Sequence, residues 1–144
     1  MPDCQNSINK KSQIDEKMEH MCEPLLTLRI PLRATSMNKW MRMHWRTQRR
    51  HRDDVAMIVR NALPWEVIQR IGNQYPVQRP VRIHIAAYMR PPLLDADNIV
   101  AKDLIDALKG WVIRDDDKRF VDDVTVTVKK NPVDAIVIEV YGVA

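Results

Sequence analysis

Hydrophobic and polar positions along the chain repeat with two periods, one suited to strands and one to helices. Residues 25–30 (Leu-Leu-Thr-Leu-Arg-Ile) alternate in part and stop at Pro31, which predicts a first strand. Residues 31–39 read as a loop. From Trp45 to about Leu63, the positions Val55, Ile58, Val59 and Ala62 recur at helical spacing. Arg46, Arg49, Arg50 and Asp53 share the polar face, and Pro64 ends the helix. Residues 65–71 predict a short helix and 72–80 a loop. Residues 81–89 alternate cleanly at their start and meet Pro91-Pro92, which predicts a second strand. Residues 99–109 predict a helix whose buried stripe is Val100, Leu104, Ala107, Leu108 and Trp111. Asp97 or Asn98 can cap its start, and Gly110 suits its end. Residues 121–129 and 135–141 alternate strongly and predict two more strands, turned at Asn131-Pro132 and running antiparallel to each other.

The order β-α-β-α-β-β predicts an α+β fold: a two-layer domain with a small mixed sheet and two main helices. No internal repeat is visible. Residues 1–23 are rich in Asn, Gln, Lys, Ser and Glu and are expected to form a flexible polar tail, with a helical turn near 14–21. Residues 24–144 are expected to be the single functional domain.

Composition narrows the classes. The chain has 144 residues, 45% of them hydrophobic, enough for one modest core. Its three glycines form neither G-x-G-x-x-G nor G-x-x-x-x-G-K-[ST], which argues against a Gly-rich phosphate loop. No apolar run is long enough to span a bilayer, and no apolar leader is visible. Cys4 and Cys22 both stand in the polar tail and read as free thiols. A cytoplasmic protein without membrane contact is expected. The net charge of +4 says little, but its distribution says more. Eight Lys or Arg residues and no acid lie between Arg29 and Arg52, and nine Asp residues and no Glu lie between Asp95 and Asp123. Separate basic and acidic zones suit a polyanion substrate together with a cation.

The acidic zone carries the candidate chemistry. Asp95 and Asp97 are two apart, so in an extended segment they point the same way. Two carboxylates facing one point repel unless a cation joins them. Mg²⁺ prefers hard oxygen ligands and takes one or two carboxylates plus water and substrate phosphates. A solvated loop that caps a helix is the plainer explanation of the same residues. A helix over 99–109 followed by an apolar return through Trp111, Val112 and Ile113 would bring Asp115, Asp116 and Asp117 beside Asp95 and Asp97. A solvated turn before the third strand explains that run equally well. Asp103 and Asp106 rank lower as ligands, and Asp106 is placed to pair with Lys102 or Lys109 along the helix.

The stretch Asp95-Ala96-Asp97-Asn98, Lys102, Asp106-Ala107-Leu108, Gly110 and Asp115 to Asp117 resembles the signature of the RusA family of Holliday-junction resolvases. The resemblance covers about residues 25–141 and is strong over 95–121. It implies a crossover-junction endodeoxyribonuclease, dependent on Mg²⁺ with Mn²⁺ as a substitute, acting as a homodimer on branched DNA such as a four-way junction. It implies Asp95, Asp97 and Asp116 as catalytic carboxylates and Lys102 as a catalytic cation. The metal would be held by Asp95, Asp97 and Asp116 or Asp117. Two departures stand out. Lys102 lies one residue later than the family's lysine, and an Asp triplet replaces the family's Asp pair; aligned as Asp115-Asp116, that pair makes Asp116 the ligand, and counting back from Val121 makes it Asp117. In the basic zone, Lys39, Arg42, Arg46, Arg49 and Arg50 are the expected DNA contacts, with Trp40, His44 and Trp45 either packing or touching sugars. Two other readings stay open: a non-catalytic nucleic-acid-binding protein, and a different small metal-dependent phosphohydrolase.

Overall fold

A computed structural model describes residues 23–143. Of the tail expected over 1–23, residues 1–22 lie outside the described residues, with its helical turn and both cysteines. Four strands and four helices follow in order: β1 (Pro24–Ile30), α1 (Met37–Arg42), α2 (Trp45–Ala62), α3 (Trp65–Ile68), β2 (Val81–Met89), α4 (Lys102–Leu108), β3 (Val121–Lys130) and β4 (Ala135–Gly142). The result is the expected α+β arrangement, with helices packed on a mixed four-stranded sheet. Among the described residues no helix is long and apolar enough to cross a membrane.

The sheet order is β1-β4-β2-β3. β4 pairs antiparallel with both β1 and β2, while β3 pairs parallel with β2 at the edge. The expectation for the last two strands therefore holds in direction but not in adjacency, because β2 lies between them. Alternation tells which face of a strand is buried and not which strand is its neighbour. Burial explains the outcome. Ile136, Ile138 and Val140 of β4 are fully buried, which suits the sheet centre, whereas only Val121 of β3 is buried. The link from β3 to β4 crosses the end of β2, where Asn131 N donates to Met89 O at 2.9 Å and Arg90 N donates to Asp134 Oδ1 at 2.8 Å.

One face of the sheet presents Leu28, Ile30, Ile83, Ile85, Met89, Ile136 and Ile138 to the core. Val55 and Val59 of α2 and Leu104 and Leu108 of α4 join that core, and α2 packs along α4. The short helix α1 falls where a loop was expected. Its local signal is Ser36, whose hydroxyl caps the helix by accepting from Lys39 N at 3.3 Å. The helix expected over 99–109 is shorter. It begins at Lys102 after Ala101, with no side-chain cap, because Ile99 is extended and pairs with Ser36. Neither Asp97 nor Asn98 caps it. Gly110 does end it as expected, at φ 79°, a conformation that costs a residue with a Cβ.

Candidate metal centre and nucleic-acid interface

After β2 the chain runs out through Pro91 and Pro92 to Asp95, which is extended, and then makes a single 3₁₀ turn over Ala96–Asn98 that packs against β3. Asp95 and Asp97 are exposed, and neither carboxylate has a hydrogen-bond or ion-pair partner among the described residues. Asn98 does a different job from the cap expected of it. Its Oδ1 accepts from Asn38 N at 3.1 Å and its Nδ2 donates to Ser36 Oγ at 3.3 Å. Val100 N donates to Thr35 O at 3.0 Å. The loop from β1 into α1 is thereby laced to the segment that follows the two aspartates.

That loop leads into the basic zone. Lys39 and Arg42 lie on α1, and Arg46, Arg49 and Arg50 share the outer face of α2 at i, i+3 and i+4. All five are exposed. Lys39, Arg42, Arg49 and Arg50 have no side-chain partner among the described residues, so their charge is not neutralised by the protein itself. Arg46 stacks over the Trp45 ring, 5.3 Å from its centroid, and His44 lies 5.6 Å from the same ring. Trp45 is 59% exposed, which excludes the core role weighed for it; Trp40 is half-buried. His44 caps α2 by accepting from Arg46 N through Nδ1 at 3.2 Å.

The second acidic run follows the apolar return through 111–113 and is engaged by cations of this chain. The return is held by Val77: Val77 N donates to Val112 O at 2.8 Å, and Ile113 pairs with Val77. Asp116 meets Lys109 at 3.2 Å, and Lys109 also meets Asp106 at 3.5 Å, as expected for that helix pair. The Lys109 ammonium holds the Asp116 carboxyl below its usual range, and Asp116 in turn raises Lys109. Asp117 is a turn residue. Its carboxylate takes the Arg119 guanidinium at 2.8 and 3.2 Å and the Arg119 amide at 2.9 Å, and these contacts lower its pKa. Asp115 accepts from Asp116 N at 2.8 Å. Lys102, at the first position of α4, is exposed and has no partner among the described residues.

Two partnerless carboxylates two residues apart match the donor set that Mg²⁺ or Mn²⁺ takes from a protein, with water and phosphate completing the shell. Asp95 is extended but Asp97 lies inside a 3₁₀ turn, so the extended segment expected to aim both carboxylates the same way is not kept; the pair suits such an ion in donor type and in having no partner among the described residues. Asp116 and Asp117 have oxygens committed to Lys109 and Arg119, and among the described residues no three His, Cys, Asp or Glu side chains form a group able to hold a metal.

A second polar constellation escaped the sequence reading. Asp103 is the one buried charged residue in the described core, at 3% exposure. His51 Nδ1 donates to Asp103 Oδ2 at 2.7 Å, and His51 Nε2 lies 2.7 Å from Thr35 Oγ1. A legible signal was present: His51 stands at i−4 and i−8 from Val55 and Val59, on the buried face of α2. No family model matches the chain, and no curated protein does.

Proposed function

We propose that the chain is a divalent-metal-dependent, structure-selective endonuclease of the RusA type, hydrolysing phosphodiesters in branched DNA. The observation that carries this reading is the pair Asp95 and Asp97, exposed and without partners, on a segment laced through Asn98 to the loop that opens the basic helices. An uncompensated carboxylate pair is unfavourable in the free chain and is stabilised by a dication. The adjacent unneutralised arginines suit the phosphates on which that dication acts.

Asp95 and Asp97 would hold the metal, with Asp116 the third carboxylate that the family pattern supplies once Lys109 releases it. When bound, the ion supplies polarisation of a phosphate oxygen and a water more easily deprotonated. Lys39, Arg42, Arg46, Arg49 and Arg50 bind the backbone phosphates and orient the strand. Lys102 offers an ammonium to negative charge developing on the phosphate or the leaving oxygen. Two chains acting as a homodimer provide the two cuts a four-way junction requires.

The test is a labelled four-way junction beside a matched linear duplex, each with Mg²⁺, Mn²⁺ or chelator. The reading expects metal-dependent cutting of the junction in preference to the duplex. Cutting that survives chelation removes the metal, and equal cutting of both substrates removes structure selectivity. One alternative has an observation in its favour. Because Asp116 and Asp117 are satisfied by cations of this chain, a nucleic-acid-binding protein without catalysis would show the same two ion pairs. It would bind the junction and leave it intact under every metal condition.

A further inference from the structure

The seam between α2 and α4 is apolar along Val55, Val59, Leu104 and Leu108 and turns polar at one end. There His51 and the buried Asp103 meet at 2.7 Å, and Thr35 closes the row at 2.7 Å from the other ring nitrogen. With Nδ1–H directed at the carboxylate, the Nε2 of a neutral ring accepts from the Thr35 hydroxyl. The row continues without a break. Thr35 O takes Val100 N, Ser36 pairs with Ile99, and Asn98 holds both Ser36 and Asn38. At 3.6 residues per turn His51 lies about 140° and 160° round α2 from Arg46 and Arg49 and about 100° from Arg50, so it points away from the basic face. A contiguous set of hydrogen bonds thus runs from the back of the basic helix to the residues that follow Asp95 and Asp97.

We propose that Thr35, His51 and Asp103 are positioning residues that fix the phosphate-binding face of α1 and α2 relative to the Asp95–Asp97 carboxylates, so that a phosphodiester captured by the arginines is presented at the metal. This inference rests on the nuclease reading above. The hydroxyl, imidazole and carboxylate stand in the order used to activate a nucleophile. Here, however, Thr35 is also tied through its carbonyl to Val100, which makes it a fixed point of the loop.

The full-length chain tests the relay in four variants: Thr35→Val, Thr35→Ser, His51→Ala and Asp103→Asn. Thr35→Val removes only the hydroxyl and leaves the His51–Asp103 pair, so it stays informative if the other two unfold. Three quantities are measured: amide hydrogen exchange at Asn38 and Val100, affinity for Mn²⁺ alone, and single-turnover cleavage of a saturating four-way junction. Thr35→Val is expected to speed exchange at both amides by about tenfold. It should slow cleavage by about tenfold to a hundredfold, with junction and Mn²⁺ affinities nearly unchanged. Thr35→Ser is expected to restore both. A wild-type level of cleavage in Thr35→Val overturns the relay alone. Abolished cleavage with unaltered exchange also overturns it, by making Thr35 a reacting group. A wild-type chain that neither binds Mn²⁺ nor cuts overturns the nuclease reading and the relay with it.

Discussion

Asp97 is exposed and pairs with no cation among the described residues, so its removal should cost the fold little and the proposed chemistry everything. Asp97→Asn is expected to abolish metal-dependent cleavage while junction binding holds or tightens, because one negative charge no longer repels phosphate. Undiminished turnover in that variant takes Asp97 out of the site. The choice between Asp116 and Asp117 is also a residue-scale matter. Asp117 builds the turn into β3, accepting from Arg119 with its side chain and from Phe120 and Val121 with its carbonyl. Asp116 is exposed between half-buried neighbours; it meets Lys109 across space and bonds to the adjacent Asp115 side chain. Asp116→Asn should therefore abolish cleavage, and Asp117→Asn should keep it while weakening the turn. The reverse result transfers the ligand to Asp117. The pair also marks stability against pH. Asp116 has a folded pKa below its ordinary 3.8, so its contribution is present above that value and is lost as pH falls through the folded one. Lys109 is raised above 10.5, so its share is present below that value and is lost as pH rises through the folded one. For a pair this exposed, the contribution at neutral pH is about 0.5 kcal/mol after solvent screening.

At the scale of elements, the periodic pattern located α2, α4 and the four strands because each buries one face on the same core. It could not order the strands, since β3 and β4 alternate alike and differ only in how much of each face is covered. Nor could it place the start of α4. Ile99 has the side chain of a helix interior, but its backbone is taken by the bridge to Ser36, a contact with a residue far away in sequence. The two aspartates and the basic run were legible as residue types at fixed spacing. The ion pairs of the Asp triplet were not, because Lys109–Asp116 and Arg119–Asp117 depend on how the chain turns between α4 and β3. Thr35, His51 and Asp103 come from a loop and two helices and have no shared motif; only the helical spacing of His51 with Val55 and Val59 pointed inward. The α2 helix itself yields a quantitative expectation. Arg46 and Arg50 are one turn apart on its outer face, away from the core, so replacing both with Ala should leave folding intact. Loss of two phosphate contacts should lower the slope of log affinity against log salt by roughly two. An unchanged slope places this face away from DNA.

For the whole molecule, the constraint is the number of cuts. Among the described residues, each chain offers the partnerless carboxylates Asp95 and Asp97 and a basic helix face laced to them. Under the proposed function one such site would hydrolyse one strand at a time, whereas resolving a four-way junction takes two cuts in strands related by the symmetry of the junction. A two-fold dimer matches that symmetry, since the same patch on each subunit faces the same feature of the DNA. The proposed function therefore expects two chains per junction, a complex with the mass of the DNA plus twice that of the monomer. It also makes a sharper demand on mixed assemblies. If wild-type and Asp97→Asn chains are combined in equal amounts and allowed to exchange, roughly half of the dimers carry one active and one inactive site. Those dimers should bind the junction as well as the wild type, because the basic faces are intact in both subunits. They should cut one strand and stop, so nicked junctions accumulate in the mixture and are scarce with either protein alone. If the mixture gives only fully resolved products, at half the wild-type yield, each chain makes both cuts unaided, and the dimer is not needed for resolution. If nicked junctions dominate even with the pure wild-type chain, the two cuts are uncoupled and the protein is a nickase of branched DNA.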